Sequence, residues 1–125
     1  MNISSIESQI AALNSEIAVL ENKVTRLTNA KKECETLHTD MSEHKRTVKS
    51  HKDSVNALFG SFSWEGETVK DFKTLYSNAV DYLNDSVLPK YKSIINDIDG
   101  EITRLRISIQ SKRSRVATLK SELSR

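Results

Sequence analysis

The sequence predicts an all-α fold, an elongated antiparallel two-helix hairpin in one domain of 125 residues. Three observations predict it. Apolar residues recur in steps of three and four along two long stretches, the mark of helices packed through one stripe. Between them lies Phe59-Gly60-Ser61-Phe62-Ser63-Trp64-Glu65-Gly66, which holds the single Trp, two of the three Phe and two of the three Gly. The two ends of the chain carry opposite charge. Residues 1–22 contain Glu7, Glu16 and Glu21 and no Lys or Arg, whereas residues 104–125 contain Arg104, Arg106, Lys112, Arg113, Arg115, Lys120 and Arg125 against Glu122 alone. A hairpin brings these ends together, and complementary flanking charges select the antiparallel orientation.

The first helix is expected over about 2–58. Ser4 and Glu7 have capping-box spacing. Ile3, Ile6, Ile10, Leu13, Ile17, Leu20, Val24 and Leu27 then form an unbroken seam. After Leu27 the apolar pattern steps by three to Ala30 and resumes as Cys34, Leu37, Met41, His44, Val48, His51, Val55 and Leu58. Such a three-residue insertion would locally overwind the supercoil. The turn is expected over 59–66, with Gly60 suited to a helix C-cap. Glu65, Glu67 and Asp71 place negative charge at the start of the next helix, where the dipole favours it. The second helix is expected over about 67–123. Its stripe is Val69, Phe72, Tyr76, Ala79, Leu83, Val87, Tyr91, Ile94, Ile98, Ile102, Leu105, Ile109, Val116, Leu119 and Leu123. Leu75, Val80, Leu88 and Ile95 broaden it, and a helix so broadly apolar needs contacts on more than one side. Pro89 lacks a backbone donor and clashes with the carbonyl four residues back, so a kink is expected there. The hairpin is expected to close along Ile10, Leu13, Ile17 and Leu20 against Ile102, Leu105 and Ile109.

Composition narrows the function. Hydrophobic residues make up 37% of the chain and charged residues 29%, with one Pro and three Gly. That excludes a turn-rich β fold, and no apolar run reaches the ~20 residues of a membrane span. Cys34 is the single cysteine, so no internal disulfide can form. Cys34 and His38, with His44 and His51 on a nearby stripe, match no usual zinc spacing. No phosphate loop, paired His-carboxylate motif or nucleophile elbow is present. The expectation is a protein that is not an enzyme and holds no metal or cofactor. The net charge of +2, and the lack of an aromatic after Tyr91 to stack on a base, argue against nucleic acid. The start of the chain has no basic region followed by an apolar one, so no cleaved secretory signal is expected. Phe59, Phe62 and Trp64 either plug the hairpin turn or form an exposed patch that docks another protein.

Trp64-Glu65-Gly66 between two long helices, with Phe72 an aromatic in the second, resembles the WXG superfamily of type VII secretion in Gram-positive bacteria and mycobacteria. The length is more similar to the small helical partners of LXG toxins. The resemblance implies a partner protein that binds the helical N-terminal domain of such a toxin for export, together with a second small helical protein. Trp64 and Gly66 would carry the motif, with Phe59, Phe62 and Phe72 beside them at the binding surface. It also implies a cytoplasmic protein, or one secreted without a cleaved signal peptide. The superfamily's Tyr-x-x-x-Asp/Glu export signal is not found, since Val80, Ser86 and Ile95 stand four residues after Tyr76, Tyr82 and Tyr91. The alternative reading is a structural coiled-coil homodimer, or an adaptor unrelated to secretion.

Overall fold

A computed structural model describes residues 2–61 and 67–125, with side chains described at 2–58 and 70–125. Its elements are α1 (Ile3–Ser61), α2 (Glu67–Tyr82), a π-helical turn (Leu83–Val87) and α3 (Leu88–Leu123). The fold is all-α, and a helical hairpin fits it, with no strand among the described residues. Backbone contacts divide the chain into two compact units. The first is Met1–Lys32 with Asn96–Arg125, and the second is Glu33–Ile95.

α1 starts one residue after Asn2, whose Oδ1 accepts a 2.7 Å hydrogen bond from the Ser5 amide. Asn2 is therefore the N-cap, in place of the expected Ser4 and Glu7 box. Along α1, hydroxyls that would otherwise compete with the helix bond back to the carbonyl four residues earlier, as Thr28 does to Val24 at 2.8 Å and Ser42 to His38 at 2.9 Å. Such local satisfaction leaves the polar residues compatible with a long helix. α1 continues to Ser61, past the expected end at 58. Phe59 and Gly60 thus have helical backbone, and Gly60 lies inside the helix where a C-cap was expected.

In the first unit, the α1 and α3 segments run antiparallel. Ile17 packs with Ile109 and Val116, and Ile10, Leu13, Leu20 and Val24 flank that cluster. Ile6 and Ile102 are buried, and Leu119 is fully enclosed. Outside this stripe the ends meet as their charges require. Lys112 Nζ lies 3.0 Å from Glu16 Oε2, Lys31 Nζ 2.8 Å from Asp99 Oδ1, and Arg113 pairs with Glu21. These pairs are substantially exposed, and such pairs contribute about 0–1 kcal/mol each. They fix orientation, and burial of the apolar stripe holds the helices together.

The seam differs from expectation beyond Leu27. Lys31, Cys34, His38, Met41, Lys45, Val48, Lys52 and Val55 are the half-buried positions that carry the stripe on, while Leu37, His44, His51 and Leu58 are exposed. The steps 27, 31, 34, 38, 41, 45, 48, 52, 55 keep an unbroken heptad, so the expected three-residue insertion is absent. Lysine makes this workable, because its methylene stem covers apolar surface while the ammonium reaches water. Lys45 Nζ does so and donates a 3.0 Å hydrogen bond to Asn84 Oδ1 within the second unit. Ile3, at the start of α1, is also exposed.

Pro89 disturbs the second helical stretch in a definite way. The Leu88 amide donates to the Leu83 carbonyl, five residues back, closing a π turn just ahead of Pro89. A π turn inserts one extra residue into the helical ladder. Upstream, the inward positions are Tyr76, Val80, Leu83 and Val87, and downstream they are Tyr91, Ile95, Ile98 and Ile102. The extra residue moves the stripe by one place, so Ile95 is half-buried and Ile94, expected on the seam, is exposed. Further along α3, Gly100 is exposed, and a Cβ built there meets nothing within 4 Å. Gly100→Ala should therefore raise stability by about 0.5–1 kcal/mol, the helix-propensity difference. A urea melt checks this, and an unchanged or lower midpoint would count against the open environment.

Candidate partner-binding surface

Among the described residues, the Cys and His side chains do not gather into one cluster. Cys34 is a free, half-buried thiol. His38 is half-buried, and its Nε2 is enclosed with no hydrogen-bond partner. His44 and His51 point outward on the other side of the heptad core position. Among the described residues, no three of His, Cys, Asp and Glu gather as a metal site, and no helix is long and apolar enough to cross a membrane.

The structure offers instead an apolar surface concentrated in the second unit. Leu37 is 43% exposed, Leu75 64%, Tyr82 65% and Ile94 41%, with Leu58 and Phe72 also exposed. Naming the half-buried stripe positions a and d, Leu37, His44, His51 and Leu58 all occupy the g position of α1. Phe72, Ala79, Ser86 and Ile94 occupy g on the opposing stretch, once the π turn's shift is counted. In an antiparallel pair the g positions of the two helices share one side. Leu75 and Tyr82 lie one turn further out on that same side, at c. The same side of the first unit carries Val19, with Ser15, Glu16 and Ser108 around it.

Centred on the π turn is an open groove of about 320 Å³ in the second unit, lined by Tyr82, Ser86, Val87, Lys90, Tyr91 and Ile94. The sequence reading passed over Tyr82 and Lys90. A signal for Tyr82 was present in Leu75, which forms a second stripe with Phe72, Ala79 and Tyr82 beside the seam; Lys90 had none.

The residues singled out from the sequence are placed as follows. Ile17, Ile102 and Ile109 are buried, and Ile10, Leu13, Leu20 and Leu105 half-buried, all in the first unit. Phe72 is exposed on α2. Phe62, Trp64 and Gly66 lie outside the described residues, as does the side chain of Phe59. Phe72, Leu75, Tyr82 and Ile94 thus lie along one side of the second helical stretch, and the seam residues lie elsewhere.

The sequence model of the family described as YwqH-like matches residues 1–125, the whole chain. The chain belongs to that family, small helical proteins associated with LXG toxins. No curated protein and no solved structure matches it.

Proposed function

We propose that this member of the YwqH-like family is a non-enzymatic partner that binds the helical N-terminal domain of an LXG-type toxin and helps present it for type VII secretion. The observation that carries the reading is that Leu37, Leu58, Phe72, Leu75, Tyr82 and Ile94 of the second unit are all exposed and all fall at the g and c positions of one side. Single surface leucines need no explanation, whereas several large apolar side chains exposed along one side of a helix pair suit a docking site. A helix laid along it would complete a bundle by the same stripe-to-stripe packing that closes the first unit. The Trp64-Glu65-Gly66 motif supports the type VII assignment by its resemblance to the WXG superfamily. The missing Tyr-x-x-x-Asp/Glu signal fits an arrangement in which a partner, the toxin or a second small helical protein, supplies it. The protein then works in the cytoplasm, or leaves with its cargo without a cleaved signal peptide.

The experiment is co-expression of the full chain with the toxin's N-terminal domain, followed by size exclusion with light scattering. A complex with the summed mass of both is expected. Trp64→Ala should weaken it by about 2 kcal/mol or more, because interface energy concentrates in a few aromatic anchors, while the helical content stays the same. Separate elution of the two proteins would reject the reading. A doubled mass for the chain alone, unaltered by the toxin domain, would favour the structural homodimer.

A further inference from the structure

We propose that the groove at the π turn is the anchoring pocket for the partner's helix, taking one large apolar side chain with a carboxylate a turn away from it. This rests on the partner-binding function above and names the chemistry that the partner must bring. Side chains spaced four apart form ridges on a helix, and the grooves between ridges receive the ridges of another helix. Here Tyr82, Ser86, Lys90 and Ile94 make one such row, and Val87 and Tyr91 a second. Ser86 is the smallest of these side chains and sits between Tyr82 and Lys90, so it leaves the low point into which a side chain from outside can settle. The walls are aromatic and aliphatic, with Tyr82 and Ile94 substantially exposed. An apolar occupant would cover both at little cost in polar desolvation.

Charge selects the rest of the partner. Lys90 is the only charged side chain lining the groove, and it is exposed. Covering it with an apolar surface, or meeting it with another cation, would be unfavourable. A carboxylate on the partner, one helical turn from the apolar anchor, would satisfy it at the rim, where charge pairs govern association rate and specificity. The π turn itself creates the geometry. Were the same residues wound as an uninterrupted α-helix instead of passing through the π turn at Leu83–Val87, the stripe would not shift, and Ile94 would fall on the seam rather than on Tyr82's side.

The test measures binding of the full chain to the LXG-type toxin's N-terminal helical domain by titration calorimetry at two salt concentrations. Tyr82→Ser and Lys90→Glu are each expected to weaken binding tenfold or more. Lys90→Gln should weaken it less and reduce its dependence on salt. Val19→Ser, which alters a comparably exposed apolar residue in the first unit, should bind like the unmodified chain. Circular dichroism should show unchanged helix in all four, since each altered side chain is exposed. If the unmodified chain binds and the Tyr82 and Lys90 variants bind equally well, the groove proposal falls while the partner-binding function stands. If the unmodified chain does not bind, both fall. If the chain alone is a dimer by light scattering and Tyr82→Ser makes it a monomer, the groove receives a second copy of this chain and the assignment to a toxin helix is overturned.

Discussion

Leu119→Ala lowers the stability of the protein by about 3 kcal/mol, within the 2–5 kcal/mol range for leucines removed from close-packed sites. Leu119 is the one large side chain fully enclosed among the described residues, and Ile109 and Val116 precede it along the same stripe of α3. Two packed helices offer few such positions, and seven hydrophobic residues are buried among the described residues. A loss of that size is a large part of the 5–15 kcal/mol typical of a whole domain. The comparison is Ile107→Ala. Ile107 is 65% exposed two residues before Ile109, and its truncation should change stability by less than about 0.5 kcal/mol. Urea melts followed by circular dichroism give both values. Equal losses at the two positions would mean that the stripe through Ile109, Val116 and Leu119 is not what holds α3.

The helical architecture was legible because its signal is redundant. From Ile6 to Leu27, and again from Ile98 to Leu123, apolar residues recur at heptad spacing with few gaps, and the end charges agree with the pairing those stripes require. The register beyond Leu27 was not legible by following apolar residues. Leu37, His44, His51 and Leu58 offered a plausible seam, and Lys31, His38, Lys45 and Lys52 did not. Packing chose the second set, because an unbroken heptad lets the helix continue without overwinding and lysine stems can line an apolar stripe. Leu37 and Leu58, displaced from the seam, then joined the exposed apolar residues, so the misreading and part of the candidate docking surface have one cause. The cap at Asn2 was hidden by a second candidate two residues on, since Ser4 with Glu7 has the same local pattern.

Deleting Ser86 together with Pro89→Ala yields a protein that melts at or above the temperature of the unmodified chain, whereas deleting Ser111 lowers the melt sharply. A helix turns about 100° per residue at 3.6 residues per turn, so one deletion ordinarily rotates everything beyond it away from its partner. In α3, deleting Ser111 would carry Val116 and Leu119, both buried, off the stripe. Each would forfeit about 1.5–3 kcal/mol of apolar burial. The stretch around Ser86 already contains one residue too many for a heptad. Leu83, Val87, Tyr91 and Ile95 follow one another in three consecutive steps of four, the trace of an added residue. The π turn over Leu83–Val87 absorbs it. With Ser86 removed, Leu83, Leu88, Tyr91 and Ile95 fall in steps of four, three and four, and an ordinary α-helix serves. Pro89→Ala is needed alongside, since a proline inside such a helix would cost about 3 kcal/mol. The same double variant flattens the groove between Tyr82 and Ile94, so it should bind the toxin domain more weakly while being at least as stable. A π turn retained at a cost to stability would then be a feature of the binding surface. If the double variant melts as low as the Ser111 deletion, the extra residue is not what the π turn accommodates.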